Sequence, residues 1–361
     1  MRSSSTPVSV FHIFLKQSVT FMAAAFLLCG VAKPATAQTV FPNFPAVATE
    51  SDSATPVRGV SLIDYHTTVF AHVLYEFYVD STGRVAYGYS GDGSNFTGGS
   101  RAQDPNANYF YADTNAQTGD SAAAVASLVV GSDLYLAYIA ANTHVLTVLK
   151  AVQIPGSYYY MYFQQVYQDP LPGISNTSAG MAYNSSTGDI YMITGTNRNS
   201  IINEAYTTHC VASTIDAAHC SAYDANMTTP TQPGLAFYHG TFYMVQKIDG
   251  GGTTIFVNKL DANGRFLSGG QISGSGTSFR SIGGFSMLAW NNELIFATVD
   301  RDNSNAVDIY ASTDGTNWSG QTLTNRLTGS TPGLGLFNSG LTVAYRAHDT
   351  RYVTYALHST P

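Results

Sequence analysis

Charge is scarce in this chain. Only 11% of its 361 residues are Asp, Glu, Lys or Arg, and four are glutamate: Glu50, Glu76, Glu204 and Glu293. Acid–base chemistry therefore has few places to reside. The 16 Lys and Arg are outnumbered by 23 Asp and Glu. A nucleic-acid partner or an anionic membrane surface needs the reverse balance, so neither is expected. Cysteine occurs three times, too few for a disulfide-dense scaffold. Apolar residues at helical spacing are rare, which argues against a helical protein. Beyond residue 32 no apolar run approaches the about 20 residues of a membrane span, so no membrane insertion is expected. Several catalytic signatures are missing: the Gly-x-Ser-x-Gly elbow, the His-Glu-x-x-His metal helix and the phosphate-binding glycine loop. Asp300-Arg301-Asp302-Asn303 only echoes calcium-loop spacing. No cofactor and no metal are expected.

What is plentiful points one way. Tyr occupies 24 positions and Gly 33, and aromatic residues make up 12% of the chain. Aromatic and β-branched residues mixed with turn formers read as all-β.

The first residues read as a targeting segment. Arg2 and Lys16 precede an apolar stretch over 19–32, and Ala35-Thr36-Ala37 has the small-x-small form of a cleavage site. Cleavage near Ala37 predicts a secreted or periplasmic protein. The removed segment carries three basic residues and no acidic one, which leaves 13 basic against 23 acidic groups, a net charge of −10. Two cysteines remain, Cys210 and Cys220. Export favours their disulfide, although His209 and His219 beside them also allow a two-His, two-Cys zinc site.

Residues 38–58, with Pro42, Pro45 and Pro56, read as a lead-in segment. From 59 to 361 one phrase recurs: an apolar run, a small polar turn, and a second apolar run. Its clearest copies are Leu334–Tyr345, Leu235–Val245 and Met287–Thr298; looser ones are Leu128–Tyr138, Met181–Thr194 and Val69–Tyr78. Aligned on Leu74, Leu134, Ile190, Phe242, Leu294 and Leu341, the steps are 60, 56, 52, 52 and 47 residues. Units of this length with four short strands are propeller blades. In the fifth unit the strands are expected at Met287–Trp290, Leu294–Val299, Ala306–Ser312 and Thr322–Leu327. The sixth unit ends after three strands, the third at Tyr352–Leu357. An N-terminal strand, from Gly59 to Ile63, is expected to pair there and close the ring, since an open edge exposes unpaired backbone. The reading is a single β-propeller domain of six four-stranded blades, with five or seven left open.

Two hairpins carry a shared motif: Ser90-Gly-Asp92-Gly93-Ser-Asn-Phe96 and Ser312-Thr-Asp314-Gly315-Thr-Asn-Trp318. They resemble the Asp-box of the sialidase-like (BNR-repeat) propellers, one residue shorter than the usual spacing. The resemblance implies a fold marker in which Asp92 and Asp314 cap turn amides and Gly93 and Gly315 take positive φ. It also implies a ligand face opposite these turns. Sialidase-type catalysis would require three converging arginines, a Tyr nucleophile activated by Glu, and an acid. The Phe/Tyr-Arg-Ile-Pro signature of those enzymes is absent; Pro56-Val-Arg58-Gly stands instead.

The expected ligand face carries Arg198, Arg280, Asp300, Arg301, Arg346 and His348, near Asn142-Thr-His144, Lys247-Ile-Asp249 and Asp349. Tyr158-Tyr-Tyr-Met-Tyr162-Phe163 is either an aromatic platform or a buried outer strand. Glu76 breaks the repeat: aligned positions hold Leu136, Met192, Met244, Phe296 and Val343. A carboxylate at a packed site is costly unless paired, so Glu76 is the candidate catalytic acid or base, or else an internally bonded residue. The leading expectation is an exported, monomeric, lectin-like protein that binds a glycan or extracellular polymer on this loop-rich face. The alternatives are a sialidase-like glycoside hydrolase or lyase, and an interaction scaffold without a small ligand.

Overall fold

The computed structural model describes Phe44 and residues 49–51, 59–67, 72–93, 95–114, 124–170, 175, 177–197, 203–247, 252–276, 278–302, 305–328, 330–346 and 354–358. The targeting segment, Arg198 and His348 lie outside the described residues. Every regular element among the described residues is a β-strand. They form a β-propeller whose sheets are built mainly from consecutive antiparallel strands.

The first blade runs Ser61–Tyr65, Val73–Val79, Val85–Ser90 and Thr97–Arg101, from the axis outward. The second runs Ala126–Val130, Asp133–Ile139, Leu146–Gln153 and Met161–Gln168, and the third Gly180–Asn184, Asp189–Thr196, Glu204–Val211 and Cys220–Thr228. The fourth holds Gly234–Tyr238, Thr241–Lys247, Ile255–Leu260 and Phe266–Gln271. In the fifth, Ser286–Trp290, Glu293–Val299, Ala306–Ser312 and Trp318–Leu327 are joined at the outer edge by Gly274–Ser275, which runs parallel to Trp318–Leu327. The last sheet is Gly333–Phe337, Gly340–Arg346 and Thr354–His358, completed by Thr49–Ser51. The inner strands contact one another in sequence, and Gly333–Phe337 returns to lie beside Ser61–Tyr65. The ring is thus closed.

An N-terminal strand does complete the last sheet, but it is Thr49–Ser51, antiparallel to Thr354–His358. Gly59–Ile63 does not take that place. Ser61–Tyr65 is the inner strand of the first blade, paired with Val73–Val79. The inner run therefore also lies earlier than the expected Val69 start, because the hairpin of this blade is longer than the others. The other five inner hairpins are tight turns whose residues take positive φ: Gly131, Gly188, His239-Gly240, Asn291-Asn292 and Asn338-Ser339.

The core lies between blades. Alternate residues of each second strand face the blade before and the blade after. Tyr75 and Phe77 pack with Leu134, Leu136 and Phe163 of the second blade, while Leu74 and Tyr78 pack with Phe337 and Ala344 of the last. Each such fully buried side chain contributes about 1.5–3 kcal/mol.

The abundance of Tyr has a structural use. A buried ring must place its hydroxyl on a partner. Tyr65 donates to the Ser132 carbonyl, Tyr135 to Ala212, Tyr191 to Ala262 and Tyr238 to Asn292. Trp290 Nε1 does the same to Ser339. Each bond crosses to a turn of the following blade. One side chain thus supplies both apolar packing and a cross-blade hydrogen bond.

Cys210 and Cys220 are bonded. They stand directly opposite on the two outer strands of the third blade, with Cα atoms 4.1 Å apart. The two-His, two-Cys metal alternative is thereby removed.

Candidate ligand-binding site

Three regions compete for function: the loop-rich face, the central channel, and a groove between the first two blades.

On the loop-rich face, tight local bonding governs the fifth blade. Asp300 is fully buried and turned into its own loop: its Oδ1 accepts from the Asp302 amide at 2.9 Å and Ser278 Oγ at 3.1 Å. Arg301 donates to Thr253 Oγ1 at 3.1 Å and lies 3.8 Å from Asp302. Arg280 is exposed, and its carbonyl accepts from the Arg301 amide. Lys247 donates to the Ile282 carbonyl. The structure thus brings Arg280 and Arg301 together at the backbone, but Arg301 is spent on neighbours. Arg346 is half-buried at the end of its strand in the last blade. In the second blade, His144 pairs with the buried Asp113 at 2.5 Å.

The central channel encloses about 330 Å³ and is lined by inner strands of all the blades, including Leu62, Leu128, Met181, Leu235, Met287 and Leu336. Glu76 is not among its lining residues. It is fully buried in the second strand of the first blade, opposite Leu62 and Gly88. It shares a side with Leu74 and Tyr78, facing the last blade. A Cβ at Gly88 would come within 2.6 Å of Glu76 Oε1, so the glycine makes room for the carboxylate. The aligned Leu136, Met192, Met244, Phe296 and Val343 are fully buried too.

The groove is the third region. Its walls are the outer strand of the first blade with the segment following it, and the 154–162 turn and strand of the second. Arg101, Gln103, Tyr109, Ser157, Tyr160 and Tyr162 line about 390 Å³. The Tyr158–Phe163 stretch is part buried and part exposed. Met161 and Phe163 are buried, while Tyr158 and Tyr160 are 54% and 50% exposed. The buried pair belongs to the strand Met161–Gln168, and the exposed pair to the turn before it.

The aromatic wall is stiff. Tyr89 and Tyr159 stack with centroids 4.3 Å apart, and Tyr160 meets Tyr89 edge-on. Tyr75 donates to the Tyr159 carbonyl, and the Met161 amide donates to Tyr87 Oη. Burial pushes the Tyr89 phenol up to about 12, with its bond to Tyr160 adding to the effect. Burial likewise raises Tyr87. These phenols are neutral at physiological pH and can both donate and accept hydrogen bonds.

The polar wall is anchored from behind. Arg101 Nε donates to Asp80 at 3.2 Å. Burial alone would raise the Asp80 carboxyl, but bonds from Thr82, Arg84 and Arg101 outweigh it and hold the group below its ordinary range. Arg84 lies over the Tyr109 ring, 4.4 Å from its centroid, and donates to Tyr111 Oη. Among the described residues lining the groove, none is a carboxylate.

Sequence reasoning did not single out Arg101, Gln103, Tyr109 or Ser157. The one available signal was the density of Tyr over 158–162, whose exposed half faces them. It also passed over Asp64, His66 and His72, which gather at the hairpin of the first blade.

No protein-family model matches the chain, and no curated protein matches it in sequence. Solved structures resemble it in fold. The fucose-specific lectin from Aleuria aurantia has a TM-score of 0.55 at 11% identity, covering 89% of this chain and 99% of the lectin. A Trypanosoma rangeli sialidase, in complex with 2,3-difluorosialic acid, has a TM-score of 0.54 at 10% identity, covering 90% of this chain. The chain spans 59% of that sialidase. At such identities the likeness is one of fold alone. The chain is a β-propeller of the architecture that these lectin and sialidase structures share.

Proposed function

We propose that this is an exported, lectin-like carbohydrate-binding protein, a single propeller domain that follows a cleaved signal segment and takes in Thr49–Ser51, ahead of the expected start at residue 59, as the closing strand of its last sheet. The groove between the first two blades is its binding site. The observation that carries this reading is the pairing of exposed Tyr160 and Tyr109 with Arg101, Gln103 and Ser157 around about 390 Å³. Aromatic faces cover the C–H side of a sugar ring, and fixed polar groups engage its hydroxyls. A volume in this range takes a mono- or disaccharide. Among the described lining residues none is a carboxylate, which supports binding over glycoside hydrolysis, since both the two-carboxylate route and the Tyr–Glu route of sialidase-type enzymes need an acidic side chain at the sugar. The Ser-x-Asp-Gly hairpins fit a fold-marking Asp-box role on the opposite face from the loop-rich side.

A glycan array of the mature chain, followed by titration calorimetry with the best sugar, tests this. Tyr160→Ala and Arg101→Ala are expected to weaken binding about ten- to a hundredfold, the loss of a stacking face or a charged hydrogen bond. Arg280→Ala and Arg301→Ala are expected to leave it unchanged. Loss of binding in the latter pair alone would move the site to the loop-rich face. Release of sugar from a glycoside would replace binding with hydrolysis.

A further inference from the structure

Asp64 breaks the repeat at a second place. It stands opposite Leu74 in the hairpin register. The corresponding positions opposite Leu134, Ile190, Phe242, Leu294 and Leu341 are Val129, Tyr183, Phe237, Ala289 and Leu336. Five apolar side chains and one carboxylate share this site, and Asp64 lines the channel. Its hairpin is also the long one, with His66 and His72 at its two ends.

The side chains converge. His72 Nδ1 and Asp64 Oδ2 are 2.7 Å apart. The His66 and His72 rings meet edge-on with centroids 4.6 Å apart. One donor atom from each of the three residues lies within 4.8 Å of the others. Asp64 Oδ1 is buried and accepts no hydrogen bond among the described residues. An Asp–His pair alone leaves both that oxygen and the His66 ring unused.

We propose that Asp64, His66 and His72 bind a divalent transition-metal ion of the zinc type at the mouth of the channel. Two imidazoles and a carboxylate suit zinc, whereas calcium and magnesium take mainly oxygen donors. Zinc–ligand bonds of about 2.0–2.1 Å require the donors to draw together from their present spacing. Both rings are exposed, so solvent does not have to be excluded for them to reorient. Three protein ligands leave a fourth position for water or a ligand donor.

Calorimetric titration of the mature chain with zinc chloride, with calcium chloride in parallel, provides the test. One zinc per chain is expected, and no calcium. His66→Ala, His72→Ala and Asp64→Asn should each weaken zinc binding at least about tenfold. His219→Ala, at the exposed pair with Asp216, should not. Visible absorption of bound cobalt should appear in the parent chain and vanish in His66→Ala. His66 is exposed, so its removal leaves the fold intact, as the unfolding midpoint will report. No zinc binding, or binding unchanged in both His66→Ala and His72→Ala, overturns the proposal.

Discussion

Replacing Gly315 by alanine tests what the Ser-x-Asp-Gly hairpin is for. Asp314 Oδ1 accepts from the Thr316 and Asn317 amides, each at 2.8 Å, and this curls the turn so that Gly315 sits at φ +69°. A β-carbon there would lie 2.2 Å from Tyr243 Cε1 in the preceding blade. Tyr243 is buried and packs edge-on against Tyr238, with Lys259 Nζ above its ring. Two costs add: about 1–2 kcal/mol for an L-residue in the left-handed region, and about 1–3 kcal/mol for forcing a packed ring aside. Gly240 separates them, because its φ is +78° but nothing lies within 4 Å of its would-be Cβ. Gly240→Ala should therefore cost only the backbone part. Urea unfolding followed by fluorescence of Trp318, 2% exposed at the end of the same hairpin, reads both variants. Gly315→Ala is expected to lose about 1–3 kcal/mol more than Gly240→Ala, and Tyr243→Leu should recover much of the difference. Equal losses in the two variants would refute the reasoning. The first blade repeats the arrangement, with Gly93 at φ +77° and its would-be Cβ 2.5 Å from Phe337. Binding at the proposed groove, per folded molecule, should not change in any of these variants, since none of Gly240, Tyr243 and Gly315 lines it.

Other perturbations have defined outcomes. Burial pushes the Asp308 carboxyl up to about 6, and Asp300 adds to this against the bonds from Thr322 and Tyr310. Between its ordinary 3.8 and about 6 the folded state holds more protons than the unfolded one, so Asp308 makes stability fall as pH rises through that window. Asp308→Asn should remove about 2–3 kcal/mol of that fall, measured as the variant-minus-parent difference in unfolding free energy at pH 4 and pH 7; a difference that does not vary with pH would contradict it. Replacing Cys210 and Cys220 with serine should lower stability by about 2–3 kcal/mol, the loop-closure value for a short loop, while a reductant should shift the unfolding midpoint of the parent chain only.

The sequence by itself determined the strands wherever the hairpin turn is tight; in the first blade, with its longer hairpin, the inner strand is Ser61–Tyr65 and not the run from Val69. An apolar run, a two-residue turn and a second run dictate an antiparallel hairpin whatever surrounds it, because turn geometry and period-2 alternation are local. Ala306–Ser312 falls where its β-branched and aromatic residues place it. The disulfide was readable for a similar reason: two cysteines ten residues apart, in a chain whose first residues read as an export signal, have few other partners. What pairs across the ring was not local. The choice of Thr49–Ser51 over Gly59–Ile63 for the closing strand depended on which stretch the first blade used as its inner strand. Glu76 and Asp64 look alike in an alignment, each a lone carboxylate among apolar siblings. Tertiary packing alone turned one between blades and set the other on the channel beside two histidines. The groove has the same origin: Arg101 and Tyr160 are far apart in the chain, and only the packing of one blade on the next makes them face each other.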